Sequence, residues 1–480
     1  MSVLSNIEPK EVFKYFEAIS AIPRGSKEEE KISAYLVDFA KERGLKYTQD
    51  EHLNVIIEKP ASRGYENKKA FIIQSHMDMV NEKNNDVTHD FKKDGLNLYI
   101  DGDFLSAHGT TLGADNGIAV AMTLAILDGD YKHPYLKALF TANEESGMSG
   151  AIGVDTSHFD DCKYLLNIDS DEEGAFTTSC SGGLRHSINI PVSYEPTPHD
   201  STTFKIRISG LEGGHSGMDI DKGLGNSNKL MARILDTLEK KDELYISYIE
   251  GGQKENAIPR EAQACITVPE DFEDELNETI KNLLEMFKKE HRESEKNINI
   301  DVEKISNPNR VFSFRTTTDI IFAMMLSPNG VYRKAANGDL VTSSNQGVIT
   351  TFNDTVIVDN LTRSNLNSER EYIVSQVKHI ADIIEAEHQH KDSYNAWEYK
   401  EVSELRDICV DVYKRLHGES PILNATHGGL ECGIFAASMP HLDMISFGPN
   451  NYYLHTPDER LSISSTERVF KYLVELIAAL

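Results

Sequence analysis

The sequence predicts an α/β protein, a mixed sheet flanked by helices and interrupted by a separate α+β insert. Three observations predict it. Strand-like apolar runs alternate with helix-like periodicity over the first 180 residues, that character stops near Gly182, and it returns near Trp397. Such alternation favours a largely parallel sheet with helices on both faces, whose ligands bind beyond the carboxyl ends of the strands.

Taken in order, Ser26 followed by Glu28, Glu29 and Glu30 reads as an N-cap with acids in the first turn, and Ile32, Leu36, Phe39 and Ala40 continue an amphipathic helix to about Gly44. Strands are expected at 54–58, 70–74, 136–141 and 164–168, with a buried helix at 117–127. From 182 to 396 the pattern changes to strands (203–209, 263–268), amphipathic helices (227–238, 271–289) and a charged stretch at 288–296. A weaker pass of the same kind follows over 311–389, with a helix at 317–326, strands at 347–351 and 355–360 and a helix at 369–387, so the insert is expected to hold two similar α+β subdomains. The tail reads as helices at 403–417 and 425–435, a strand at 442–447 and a last helix at 465–479. Residues 1–181 and 397–480 are therefore expected to form one domain and 182–396 a second.

At 480 residues the chain is too long for a single core. Its 49 basic against 77 acidic residues give a net charge of −28, which disfavours nucleic acid and anionic membrane as partners. Five scattered cysteines without a Cys-x-x-Cys spacing suit a reducing cytoplasm rather than a disulfide framework or a thiolate metal site. No basic-then-apolar leader and no run of about 20 apolar residues is present, so the reading is of a cytoplasmic, membrane-free protein.

The chemistry sits where the apolar runs end. His76 and Asp78 follow the 70–74 run two residues apart, a spacing that suits an imidazole ligand and the carboxylate that fixes its tautomer, or an ordinary polar pair. Asp115 lies in a glycine-flanked turn before the 117–127 helix, either as an N-cap or as a carboxylate shared by two cations. Glu144 and Glu145 are adjacent acids that repel unless something positive lies nearby; one can ligate metal while the other accepts a proton. Asp169 ends another apolar run, and His455 precedes Thr456-Pro457. Together His76, Asp115, Glu145, Asp169 and His455 offer two imidazoles and three carboxylates, a nitrogen and oxygen set that suits two divalent ions, zinc first, with manganese or cobalt as alternatives. No Gly-x-Ser-x-Gly elbow suggests a serine nucleophile.

His76-x-Asp78, Gly113-Ala114-Asp115-Asn116-Gly117, Asn143-Glu144-Glu145-Ser146-Gly147, Asp169 and His455-Thr456-Pro457 resemble, in order, the signatures of the co-catalytic zinc exopeptidases related to aminoacylase and carboxypeptidase G. Ile22-Pro23-Arg24-Gly25-Ser26, Gly213-Gly214-His215-Ser216-Gly217, Glu255-Asn256-Ala257-Ile258-Pro259 and Thr426-His427-Gly428-Gly429-Leu430-Glu431-Cys432-Gly433 resemble the aminoacyl-histidine (Xaa-His) dipeptidase branch of that family. The resemblance implies a catalytic domain interrupted by a lid, with one zinc on His76, Asp115 and Asp169 and a second on Asp115, Glu145 and His455. It further implies Glu144 as general base toward a metal-bridging water, Asp78 as the residue that orients His76, and His215 as the lid's partner for the oxyanion. Asn256 and Arg363 would join His215 around the substrate. Gly428 and Gly429 would offer backbone N–H groups to a terminal carboxylate, with His427 and Glu431 nearby, although a plain turn into a helix reads equally well. The implied reaction is hydrolysis of unblocked dipeptides, preferentially Xaa-His and including β-alanyl-histidine. An N-acyl amino acid amidohydrolase and a metal-dependent peptide-binding protein are the alternatives, and a homodimer is left open.

Overall fold

A computed structural model describes residues 3–480. The chain divides into two compact units: the chain up to Ser179 with Tyr399–Ala425 and Leu430–Leu480, and Cys180–Glu398 with Thr426–Gly429. The short Thr426–Gly429 segment thus packs with the second unit, although the sequence reading kept all of 397–480 together.

The first unit is a mixed α/β sandwich. Its eight-stranded sheet runs Lys46–Gln49, Val55–Lys59, Leu136–Thr141, Ala70–His76, Cys162–Asn167, Asp443–Ser446, Ala175–Cys180, Ile422–Thr426. The four strands from Leu136–Thr141 to Asp443–Ser446 are mutually parallel, and the first two pair antiparallel. Every residue of Ala70–His76 and Leu136–Thr141 is buried, as expected where helices cover both faces of a sheet. Helix Ala114–Asp128 is apolar all round and wholly buried along 116–127, so it behaves as core rather than as a surface helix. Pairing sets His76 opposite Thr141 and Gln74 opposite Asn167, which brings the carboxyl ends of the central strands level.

The second unit is built on a nine-stranded antiparallel sheet with four α-helices, beside two two-stranded sheets, Tyr194–Pro196 with Arg310–Phe312 and Gly214–His215 with Ala257–Ile258. Its strand order is Asn299–Ile305, Ser201–Ser209, Ala262–Pro269, Tyr245–Gly251, Leu340–Phe352, Thr355–Ser364, Gly182–Pro191, Glu387–Tyr394, with Gly330–Lys334 added beside Leu340–Phe352. Two β-α-β-β-α-β passes with the same strand order meet edge to edge where Glu250 and Gly251 pair with Thr350 and Ile349. The second pass is not contiguous. Its first strand is Gly182–Pro191, so the first pass is nested inside it, and one apolar cluster including Ile188, Ile206, Ile266, Ile349 and Val377 runs through both.

Several local expectations are corrected. Helix Glu30–Glu42 begins after Glu29, and Ser26 does not cap it; its hydroxyl donates instead to Asp78 Oδ2 at 2.8 Å. The expected helix at 425–435 is strand Ile422–Thr426 followed by helix Glu431–Ser438, because Gly428 and Gly429 separate the two. The expected helix at 369–387 is Asn367–Ile383, and its end belongs to the outer strand Glu387–Tyr394. The sequence reading missed a four-stranded sheet, Asn451–Tyr452, Arg460–Ser462, Phe104–Ala107 and Leu98–Asp101. All five cysteines are free thiols, and no helix among the described residues is long and apolar enough to cross a membrane.

Candidate functional site

At the carboxyl ends of the parallel strands, the first unit gathers His76, Asp115, Glu144, Glu145, Asp169 and His455. His76 Nε2 lies 3.0 Å from Asp115 Oδ1 and 3.4 Å from Asp169 Oδ1. His455 Nε2 lies 3.2 Å from Asp115 Oδ2 and 3.0 Å from Glu145 Oε1. The donor atoms of His76, Asp115 and Asp169, of Asp115, Glu145 and His455, and of His76, Glu144 and Glu145 each lie close enough together to hold a cation. Asp115 is common to the first two groups and offers a different oxygen to each imidazole.

The backbone around these residues is held by buried polar side chains. Asp115 and Asn116 have non-helical angles at a kink near the start of Ala114–Asp128, preceded by Gly113, left-handed at φ 64, and the Asp115 carboxylate turns to the imidazoles. A Cβ on Gly113 would fall 2.6 Å from both Arg24 Nη2 and Met79 Sδ, so both its angle and its close packing require glycine. Glu459, which is 2 % exposed, grips this loop: Oε2 accepts from the amides of Leu112 and Gly113 at 2.7 and 2.8 Å, and Oε1 from that of Ala114 at 2.9 Å. Arg24 is fully buried beneath the same loop and donates to the carbonyls of Met77, Asp78 and Gly113.

Asp78 is wholly buried and accepts from the amides of Glu144 at 3.0 Å and Glu145 at 3.3 Å, while its Oδ1 lies 3.3 Å from His76 Nδ1. That last distance is an ion-pair spacing rather than a well-aligned hydrogen bond. Glu29, also buried, takes the amide of Asn143 at 3.0 Å. The adjacent acids are therefore presented by a turn whose three successive amides end on carboxylates. His455 itself is left-handed at φ 60, a conformation uncommon outside glycine that is held here by the surrounding loop.

Arg24, Ser26, Glu29 and Glu459 are supporting residues to which the sequence reading gave no part in the site, Ser26 and Glu29 having been read as the cap and first turn of a helix. Arg24 and Ser26 stood within a quoted motif, and Glu459 four residues after His455; a charge flanked by small or turn-forming residues was the available signal.

The electrostatics show a surplus of negative charge. Burial raises Glu144 well above the ordinary carboxylate range, with Asp169, Glu145 and Glu431 adding to it against the opposing effect of His76. Burial likewise raises Glu145 and Asp169. Burial would also raise Asp115, but its bonds to His455 and His76 win and lower it. Bonds to Asp115 and Glu145 push His455 up to about 11. Burial and crowding thus disfavour the charged form of Glu144, Glu145 and Asp169, the cost that a cation among these donors would relieve. Nitrogen and carboxylate oxygen without thiolate suits zinc or a similar divalent ion.

The remaining sequence-predicted residues divide between the units. Glu431 belongs to the first unit and is 0 % exposed; it accepts from Thr141 Oγ1 at 2.7 Å and from Gln74 Nε2, and burial pushes it up to about 8. It is a core acid under the strand ends rather than a surface contact for substrate, which corrects the expectation.

His215, Asn256, Arg363, His427, Gly428 and Gly429 lie in the second unit. His215 sits on the short strand Gly214–His215, paired with Ala257–Ile258, and the carbonyl of Asn256 accepts from the amide of Ser216 at 2.9 Å. The Nδ1 of His215 accepts from the amides of Gly217 and Met218 at 3.3 and 3.2 Å, which leaves the ring proton on Nε2. Arg363 Nη1 donates to Tyr394 Oη at 2.8 Å. His427 is 5 % exposed, its Nε2 lies 2.7 Å from Ser343 Oγ, and burial with Arg363 nearby lowers it to about 4. The amide of Gly428 donates to Thr426 Oγ1 at 3.1 Å, so it is already engaged rather than offered to a carboxylate, and a Cβ on Gly429 would fall 2.7 Å from the Tyr394 ring.

A family model described as "Peptidase family M20/M25/M40" matches residues 72–479. The chain is 38 % identical over 480 residues to the cytosol non-specific dipeptidase of Escherichia coli (strain K12), covering 99 % of each. Its structure is similar to that of an aminoacylhistidine dipeptidase from Vibrio alginolyticus, with a TM-score of 0.89 and 37 % identity over 99 % of this chain and 98 % of that one. A tripeptidase from Staphylococcus aureus, at 14 % identity and a TM-score of 0.57 over 98 % of both chains, shares the fold.

Proposed function

The chain belongs to peptidase family M20/M25/M40 and is a peptide-bond hydrolase, and on that premise we propose that it is a two-cation dipeptidase acting on short unblocked dipeptides, preferentially those ending in histidine and including β-alanyl-histidine. The observation that carries this reading is the Asp115 carboxylate, whose two oxygens face His76 and His455 separately. His76, Asp115 and Asp169 would hold one ion, and Asp115, Glu145 and His455 the other, zinc being the first choice. When bound, the ions supply Lewis acidity toward the scissile carbonyl and lower the pKa of water toward about 7.

The chain's own residues do the rest. Glu144, raised by burial, accepts the proton of the attacking water and delivers it to the leaving amine nitrogen. Asp78 orients His76 and at the same time fixes the amides of Glu144 and Glu145, so the general base and a ligand share one support. His215 carries its proton on Nε2 and donates to the oxygen on which charge develops. Arg363 and Asn256 are assigned to substrate binding, with His427, Gly428 and Gly429 in a supporting turn. A cytoplasmic location accords with five free thiols.

The test is a panel of kcat/KM values for alanyl-histidine, alanyl-alanine, N-acetyl-alanine and a tetrapeptide. The proposal expects alanyl-histidine to be cleaved fastest and the blocked and long substrates poorly. Faster cleavage of N-acetyl-alanine would replace it with an acyl amidohydrolase, and equal rates for the two dipeptides would remove the histidine preference. A site that pairs polar groups discriminates strongly against analogues lacking them.

A further inference from the structure

Within the second unit, three histidines stand apart from the residues assigned to the reaction, two of them in direct contact and the third not converged with them as placed. His186 lies on strand Gly182–Pro191, and His388 and His390 on the outer strand Glu387–Tyr394. His388 and His390 are two apart and so share a face of the sheet. His390 is the register partner of His186, and His388 that of Ile188. The ring centroids of His186 and His388 are 5.3 Å apart and those of His388 and His390 5.1 Å apart. Exposure is graded along the group: His186 is buried, His388 half-buried and His390 open to solvent. A cation can therefore reach it from the sheet edge.

His186 Nδ1 and His388 Nε2 are 3.2 Å apart, and His186 Nε2 is 3.0 Å from Thr362 Oγ1. Two nitrogens on one tetrahedral zinc lie about 3.3 Å apart, given Zn–N bonds of about 2.0–2.1 Å. The observed spacing is within about 0.1 Å of that span. Thr362 Oγ1 also lies 3.1 Å from Ser344 Oγ, so it can accept from His186 Nε2–H while donating to Ser344. In that arrangement the His186 Nδ1 lone pair turns toward His388, as an outer-sphere partner orients a metal-bound imidazole.

We propose that His186, His388 and His390 form a site for one divalent transition-metal ion, with zinc as the representative, separate from the carboxylate-rich group of the first unit. The directly opposed backbone positions of His186 and His390 put the third imidazole within reach by a side-chain rotation. A set of imidazoles without carboxylate selects zinc, copper or nickel over magnesium, calcium or manganese. Burial, with the neighbouring imidazoles, lowers His186 to about 3 and His388 to about 4, so both are neutral at physiological pH. The charged groups facing His388 from the covering helix are Lys378 and Asp382, whose ion pair at 2.7 Å offsets the lysine.

Metal content settles the matter. The holoenzyme, His388→Ala and His390→Ala are dialysed to equilibrium against zinc chloride, and zinc per chain is measured by mass spectrometry; alanyl-histidine turnover and circular dichroism are followed in parallel. Wild type is expected to hold one zinc more than either variant, with turnover and spectrum unchanged. His390 is at the surface, so its removal tests the site without disturbing the core. With copper(II) in place of zinc, electron paramagnetic resonance is expected to show in wild type an additional imidazole-coupled copper species, beyond that of the first-unit site with its own imidazoles His76 and His455, and only this additional species is lost in His388→Ala. Retention of the extra equivalent by either variant, or its absence from wild type, overturns the proposal.

Discussion

Asp115 Oδ2 stands 3.2 Å from His455 Nε2, across 340 positions of sequence, while the other oxygen of the same carboxylate turns to His76. One side chain thereby joins two donor groups, and on the proposed function its removal would leave each cation short of a ligand. Asp115→Ala is expected to abolish dipeptide hydrolysis and strip most of the metal from the first unit. Full metal content by mass spectrometry, with activity lost, would limit Asp115 to a role in the chemistry alone.

Glu144 is expected to behave differently because neither assigned cation needs it as a ligand. Glu144→Gln keeps the metals and loses the proton carrier, for a fall in kcat of roughly 100-fold or more. Parallel metal analysis and steady-state kinetics check both halves. Turnover near wild type would assign the proton transfer to another group.

How much of this was legible in the sequence depended on whether a residue acts through local pattern or through distant packing. Asp115, Glu144 and Glu145 stand beside glycines or at the ends of apolar runs, so their position on a strand end or turn could be read from neighbours. The grip of Glu459 on the amides of 112–114 could not, because it spans some 345 residues and leaves no periodicity. The same holds for Arg24, whose guanidinium fits against Gly113 only once the fold is closed. Glu431 was misread for the converse reason: its Gly-Gly approach suggested a binding turn, while its carboxylate points inward to Gln74 and Thr141. The nested first pass of the second unit was hidden because strand Gly182–Pro191 pairs with partners more than 150 residues later.

The Glu459 contact makes its own prediction. Glu459→Ala leaves buried amides at Leu112, Gly113 and Ala114 without their acceptor and loosens the loop that sets Asp115. A change of supporting residue of this kind typically weakens metal affinity by about 10–100-fold. Competition with a chelator of known affinity measures it, and an unchanged zinc affinity would reduce Glu459 to a purely structural role.

His215→Ala is expected to lower kcat more than it raises KM, with metal content unchanged. Loss of one oxyanion donor costs about 2.7–4 kcal/mol of transition-state stabilisation. An effect on KM alone would make His215 a ground-state binding residue.

Burial lowers His427 to about 4, against about 6.5 for an unfolded imidazole. Between those values the unfolded chain binds the proton and the folded chain does not, so this histidine makes stability fall as pH drops from about 6.5 to about 4. The protection factors of amides in strand Leu340–Phe352, which carries its partner Ser343, are expected to fall on acidification once the intrinsic slowing of exchange at lower pH is divided out. His427→Gln should flatten that response. Equal pH dependence in both proteins would show that His427 does not couple to protons in this way.

The central claim, a shared carboxylate organising two cations for peptide hydrolysis, is tested most directly by reconstitution. Enzyme stripped of metal by chelator is titrated with zinc while hydrolysis of alanyl-histidine is followed, side by side with Asp115→Ala. The account predicts no turnover without metal, recovery on titration in wild type, and no recovery in the variant. Turnover by metal-free enzyme, or zinc-dependent recovery in Asp115→Ala, would contradict it.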